Sequence, residues 1–374
     1  MYRVGIIGLG PVAIRKSQSE GLPAFQGKPA SDDIIQAGID PSSPATVLGD
    51  PVLVSHAASL AKISEIQVVA VCDVSAARIK RFFHNWSDIW PGTRSYTDYS
   101  EMMRREELDL IAVCTPEHLH VEPVVAAAES GVKGILCEKP IATSLEDADR
   151  MIKACDNNNV VLNIEYTRRW SPLFLTVRQV LRSGAIGNVT SISGAFGGAQ
   201  AWMFRSGSHL LDAMCFFSES DPEIASAHLE HGYDDWDRYR GSGGGNLTER
   251  DPGATGYVVF KNGVRCFYTC INSSPDFYRE FLIVGNEGYI SFPFNGEIGT
   301  LHTRSTVDPS MASSSVIQPE SYRTRAIEAA YRELIENISS GTKSVSPAQE
   351  SRKSVAIMMA FLKSHKEQGR LVKV

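Results

Sequence analysis

No apolar run in the 374-residue chain approaches the roughly 20 residues of a membrane span, so no membrane partner is expected. Positive charge is not in excess either. The chain has 37 Lys and Arg against 43 Asp and Glu, a formal charge of -6, which gives no electrostatic case for nucleic acid. The seven cysteines are an odd number and form no CxxC pair, which argues against a disulfide framework. Cys72, Cys114 and Cys137 each sit in an apolar, strand-like run, the setting of small buried hydrophobes in a reducing compartment. Met1-Tyr2-Arg3-Val4 enters such a run directly, without a signal-peptide pattern. A cytoplasmic location is expected, and the Asn-x-Thr sequences at Asn188 and Asn246 then carry little weight.

Hydrophobic content of 43% and charged content of 21% are ordinary for a globular protein, and the length exceeds what one core usually fills. Two domains are expected: a dinucleotide-binding unit over residues 1–165 and a second unit over 166–374. The first half alternates buried-strand and helix patterns, which predicts a doubly wound parallel sheet. Gly8-Leu9-Gly10-Pro11-Val12-Ala13 follows the first strand as G-x-G-x-x-A. The first glycine permits the tight turn, the second lets backbone approach a pyrophosphate, and the third small residue packs helix on strand. From about 15 to 52 the sequence is rich in Ser, Pro, Gly and Asp without periodicity, an insertion that could be a lid, a contact or a tolerated loop. Ser55-His56-Ala57-Ala58 resumes the helix.

Ile66 to Asp73 is the next buried strand, ending in an acid suited to ribose hydroxyls; an ordinary turn aspartate is the other reading. Arg78 nearby leaves NADP open, with NAD the expected cofactor. Leu108 to Cys114 is a further strand, ending in Thr115-Pro116. Glu117, His118, His120 and Glu122 follow, but adjacent turn residues diverge and no metal is expected. Gly134-Ile135-Leu136-Cys137-Glu138-Lys139-Pro140 places a lysine at a strand's carboxyl end, where open parallel sheets bind ligands. Ser144 opens a helix and Val160 to Glu165 is another strand, after which the pattern changes. Later, Asn262-Gly263 between two apolar runs signals a hairpin, and Thr190–Ala195 and Ile224–His231 read as strands. Ile327, Ala330, Tyr331, Leu334, Ile335 and Ile338 mark one helix face, and Ser346-Pro347 reads as cap and first residue of the last helix.

Taken in order, Gly8-Leu9-Gly10, Cys114-Thr115-Pro116 with His120, Cys137-Glu138-Lys139-Pro140, Arg169-Trp170-Ser171-Pro172, Gly184-Ala185-Ile186-Gly187 and Gly207-Ser208-His209-Leu210-Leu211-Asp212 resemble the glucose-fructose oxidoreductase / inositol dehydrogenase / MocA (Gfo/Idh/MocA) family. Ile283 to Gly288 and the C-terminal tail resemble it as well. The resemblance implies an N-terminal Rossmann domain and a C-terminal α+β domain with an open, mostly antiparallel sheet, the last helix packing back, and assembly as a homodimer or homotetramer. It further implies hydride transfer between a sugar, cyclitol or related hydroxy compound and nicotinamide. Lys139 would polarise the reacting oxygen and His209 would exchange its proton, as an imidazole can near neutral pH. Gly8, Gly10, Pro11, Val12, Asp73, Arg78, Thr115, Pro116, His120, Glu138 and Lys139 would line the cofactor, and Tyr166, Arg169, Trp202, Arg205 and Asp212 the substrate.

Two positions depart from the family pattern. Arg205 stands four residues before His209 where many members carry aspartate, and Glu117 where asparagine is common. Arginine cannot accept a proton but grips a carboxylate or phosphate in two-pronged fashion, so an anionic substrate is expected. The charged, glycine-rich stretch Asp234 to Gly245 could cover the substrate or contact another subunit. Two other functions fit the scaffold: an NAD-using glycoside hydrolase or lyase, and a non-catalytic dinucleotide-binding sensor.

Overall fold

The protein is described here as a computed structural model covering residues 1–16, 55–198, 201–230, 251–275, 278–319 and 326–374. Nearly all of the expected insertion and the stretch from Asp234 to Gly245 fall outside the described residues, as does Asn246.

The first half is a six-stranded parallel sheet of β1 (Tyr2–Ile7), β2 (Ile66–Cys72), β3 (Arg94–Tyr96), β4 (Leu110–Val113), β5 (Gly134–Glu138) and β6 (Val161–Glu165). Its order, β3-β2-β1-β4-β5-β6, reverses direction of winding between β1 and β4, the switch point that opens a ligand crevice. Every residue of β4 and β5 is buried, as helices on both faces require. The helices are α1 (Pro11–Ile14), α2 (His56–Leu60), α3 (Ala76–Trp86), α4 (Tyr99–Arg105), α5 (Val121–Glu129) and α6 (Leu145–Asn157). Caps set their starts: the hydroxyls of Ser55 and Ser144 accept from the backbone N–H groups of Ala58 and Asp147.

The chain then turns through α7 (Pro172–Arg182) into a nine-stranded sheet, β14-β13-β12-β11-β7-β10-β9-β8-β15. Its strands are β7 (Val189–Gly197), β8 (Pro222–Leu229), β9 (Ala254–Phe260), β10 (Arg265–Ile271), β11 (Arg279–Gly285), β12 (Gly288–Pro293), β13 (Gly299–Arg304), β14 (Ala312–Ile317) and β15 (Val372–Lys373). All pairings are antiparallel except β7 with β10. β10 alternates, with Cys266, Tyr268 and Cys270 inside and Arg265 and Phe267 outside. The inner face packs on α8 (Ser208–Ser218) and α10 (Ala348–Lys366), and Phe174, Phe217, Phe281 and Phe292 fill it with ring centroids 5.3 to 6.4 Å apart. No helix among the described residues is long and apolar enough to cross a membrane.

One expectation at the C-terminal end needs correction. Pro347 is the cap position and Ala348 the first residue of α10, because Ser346 is held elsewhere. Its hydroxyl donates to the carbonyl of Ile164 at 2.6 Å and its own carbonyl accepts from the Ile164 N–H, which fastens it beside β6. α9 (Ala326–Ser340) covers one face of the first sheet: Ile327, Ala330, Tyr331 and Leu334 share a core with β1, β2 and β4. The last helix lies across β8 and α8 of the second sheet and also packs back on β6 and α6 of the first domain, where Arg352 pairs with Asp149.

Gly8 sits in the turn after β1 at φ 86, and a Cβ there would lie 2.7 Å from the backbone of Cys114 and Thr115. The turn therefore rests directly on the end of β4. We expect Gly8→Ala to cost about 1–3 kcal/mol from the strained backbone alone, with weaker dinucleotide binding, read by thermal melting with and without NAD.

Candidate functional site

The dinucleotide end of the first sheet is built around Asp73. One carboxylate oxygen accepts the N–H of Leu9 at 2.7 Å and the other that of Ser75 at 2.8 Å, so the acid ties the glycine turn to β2. Arg78 approaches the same carboxylate at 3.5 Å with its side chain half exposed. Pro11 occupies the first position of α1, and Ala13 is fully buried beneath it, as a close helix-on-strand contact needs. A Cβ on Gly10 would meet nothing within 4 Å, so the backbone there is open to an approaching group. Turn, buried acid and open glycine together fit a dinucleotide.

At the ends of β4 and β5 the two turns are stapled together. The ring nitrogens of His120, itself 1% exposed, lie 3.0 Å from the carbonyls of Thr115 and of Pro140. Burial holds this imidazole below its usual pKa against the pull of those carbonyls, so it is neutral and donates to one of them. His120 therefore fixes the Thr115-Pro116 and Lys139-Pro140 turns, with both ring nitrogens turned to their carbonyls. Glu117, beside it, is buried within the same wall.

Lys139 follows β5, and its ammonium donates to the backbone carbonyl of Arg205 in the second domain. Burial pushes its pKa below the ordinary lysine value; Glu138 opposes that shift and Arg205 reinforces it. The turn of residues 201–207 carries Arg205 and runs into α8, whose second residue is His209. The imidazole stands edge-on to Tyr166 with ring centroids 5.7 Å apart, and its Nδ1 has no hydrogen-bond partner. Burial, then the charges of Lys139 and Arg168, hold His209 well below the usual histidine pKa. It is a neutral base near an ammonium.

Three residues expected at the substrate are engaged elsewhere. Arg169 grips Asp212 through Nε and Nη2 at 2.9 to 3.0 Å and donates from Nη1 to the Val345 carbonyl at 2.7 Å. Both are buried, and the Tyr166 hydroxyl bonds Ser354 at 2.8 Å. This network is the rigid backing of α8 and holds His209 from behind, with its polar groups already satisfied. Trp202 is only 2% exposed, so its ring is a core contact with no face for a sugar; the Arg205 guanidinium lies 5.5 Å from its centre.

Asp251 was not singled out by the sequence. Its two oxygens accept the N–H groups of Phe204 at 2.9 Å and Arg205 at 3.0 Å, while the neighbouring Pro252 carbonyl accepts that of Met203. A lone acid 46 residues from its partner offers no local signal. Burial raises its pKa from 3.8 to about 7. The folded protein thus binds this proton more tightly than the unfolded chain, so rising pH between those two values lowers stability. Replacing Asp251 with Asn should flatten that part of the stability–pH curve, measured by denaturant unfolding from pH 4 to pH 8, while weakening the turn that carries Arg205.

The fold and site thus define a two-domain nucleotide-binding protein with a lysine and a histidine at the junction of its sheets. Residues 52–166 match the family model described as an oxidoreductase family with an NAD-binding Rossmann fold, and residues 174–291 match the GFO/IDH/MocA C-terminal domain. The chain belongs to the Gfo/Idh/MocA family, and its first domain is an NAD-binding Rossmann fold. D-apiose dehydrogenase of Paraburkholderia graminis is 33% identical over 133 residues, 36% of this chain and 34% of that protein. The 2,7-anhydro-N-acetylneuraminate hydratase of Mediterraneibacter gnavus is 32% identical over 142 residues, 34% of this chain and 38% of that protein. The chain therefore spans little more than a third of the length of these curated relatives. The fold is shared along its whole length with an oxidoreductase of Agrobacterium radiobacter solved with NAD+, L-tartaric acid and magnesium: TM-score 0.69, 18% identity, 100% of this chain and 98% of that one.

Proposed function

We propose that the protein is an NAD-dependent dehydrogenase that oxidises a CH–OH group of a sugar, cyclitol or related hydroxy compound, or reduces the corresponding ketone. The observation that carries this reading is the meeting of Lys139, from the end of β5, with the turn that leads into His209. NAD, when bound, supplies the hydride acceptor. The chain must then handle the hydroxyl proton and the charge on oxygen. The neutral His209 imidazole can take that proton, and the Lys139 ammonium can hold the oxygen as it gains alkoxide character. The Lys139 carbonyl partner on Arg205 keeps the ammonium oriented until a substrate oxygen replaces it.

Arg205 supports a substrate with a carboxylate or phosphate, since its guanidinium lies near enough to Lys139 to lower that group's pKa. A sugar substrate accords with the relative named D-apiose dehydrogenase. Exposed Phe267 and Val316, and Tyr289 stacked on His302 at 4.2 Å, lie on the second sheet and support assembly as a homodimer or homotetramer.

Stoichiometric NADH formation with one member of a panel of neutral and acidic sugars tests the reading. Exchange of substrate hydrogen without net NADH would mark a lyase or hydrolase, and NAD binding without either a sensor. Lys139→Ala should lower kcat by about 10²–10³-fold with the KM for NAD little changed. Because Lys139 acts as an ammonium with a lowered pKa, activity should fall as pH rises through that value. Arg205→Ala should raise KM for an acidic substrate far more than for a neutral one, and equal effects would remove the anion from the proposal.

A further inference from the structure

Behind Lys139 lies a buried group of side chains that hydride transfer does not use. Glu138 ends β5, Glu165 ends β6, and the parallel register sets the two acids side by side. They are 8% and 2% exposed. Neighbouring carboxyls so enclosed do not both ionise near neutral pH, because desolvation and like charge each oppose the second charge. Their hydrogen bonds differ sharply. Glu138 faces His56 Nε2 at 3.1 Å through one oxygen and accepts the Lys139 backbone N–H at 3.3 Å through the other. Glu165 accepts the Thr167 hydroxyl at 2.8 Å through one oxygen, while the other is buried without a partner.

His56 in turn is held by Tyr331, whose hydroxyl lies 2.6 Å from Nδ1. Both residues are completely buried, the imidazole at the start of α2 and the phenol on α9. A neutral imidazole has one donor and one acceptor nitrogen. When Tyr331 donates to Nδ1, the hydrogen must sit on Nε2, where it is given to Glu138. With the Tyr331 hydroxyl as donor, His56 takes the tautomer that favours a carboxylate at Glu138 and not at Glu165.

We propose that His56, oriented by Tyr331, assigns the single negative charge of the Glu138–Glu165 pair to Glu138 and thereby keeps Lys139 an ammonium. His56 is thus a positioning residue acting through Glu138. The charge balance agrees. Burial raises Glu165 well above the usual carboxyl range, and the Glu138 charge adds to it. At Glu138 burial acts in the same sense but is outweighed, chiefly by the His56 hydrogen bond and with the charge of Lys139 beside it. For Lys139, Glu138 is the largest influence opposing burial; Glu117 assists, and Arg205 and Arg168 act against it. Asp251 and His209 face the same ammonium from the second domain, while His120, Cys114 and Tyr331 face the carboxyl pair.

The kinetic part of the test rests on the dehydrogenase reading; the spectroscopic part does not. In the full chain at neutral pH, the infrared difference between wild type and Glu165→Gln should show a protonated carboxylic acid, and carboxylate bands there would overturn the assignment. In the pH dependence of kcat, His56→Phe should move the alkaline limb down by about one pH unit, the shift expected when an adjacent anion is lost. His56→Gln, which keeps a donor for Glu138, should restore the wild-type limb. An unmoved limb in folded His56→Phe, or equal shifts in Phe and Gln variants, would contradict the proposal. A chain that oxidises no hydroxy compound would fail the functional reading alone, and the infrared result would still decide this one.

Discussion

The bond from the Lys139 ammonium to the Arg205 carbonyl joins the two halves of the molecule at the point where chemistry is expected. Everything around it serves to hold both ends still. On one side, β5 is buried throughout, and His120 pins the turn after it to the turn after β4. On the other, Asp251 holds the Arg205 turn by two N–H groups, and the Arg169–Asp212 pair anchors α8. A cation enclosed this way is costly unless partners compensate it. The charge of Glu138 and the carbonyl of Arg205 do so.

The same enclosure explains why so many ionisable groups here depart from their ordinary behaviour. Lys139, His209, Glu165 and Asp251 all shift towards their neutral forms, each with burial as the leading cause. Glu138 is the exception among them, held as an anion by His56. Groups whose surroundings push their proton affinities apart are those able to divide acid and base roles. Structural ion pairs perturb pKa values too, and Arg169 with Asp212 is such a pair, closed on itself behind the site.

Much of this was legible in the sequence, for identifiable reasons. Strands such as β4 and β5 are buried on both faces, so they appear as unbroken apolar runs, and their ends carry Thr115 and Lys139 where ligands gather. The order of those motifs led to the family and to His209. What escaped were contacts between distant segments. His56 meets Glu138 across 82 positions and Tyr331 across 275, and nothing local to any of the three announces the other two. Tyr166, Arg169, Trp202 and Asp212 were assigned to substrate from their neighbourhood to motifs, but side-chain direction turned them into the supporting wall. The helix that covers the first sheet was read correctly as amphipathic, yet its destination depended on topology that periodicity does not carry.

The central claim is that one substrate oxygen is served by Lys139 and His209 together. A crystal structure of the chain with NADH and a bound hydroxy acid or sugar measures this most directly. The account predicts that the Lys139 ammonium leaves the Arg205 carbonyl and that the substrate oxygen lies within hydrogen-bond distance of both Lys139 Nζ and the His209 imidazole. A substrate oxygen bound away from either group, with Lys139 still on Arg205, would contradict it.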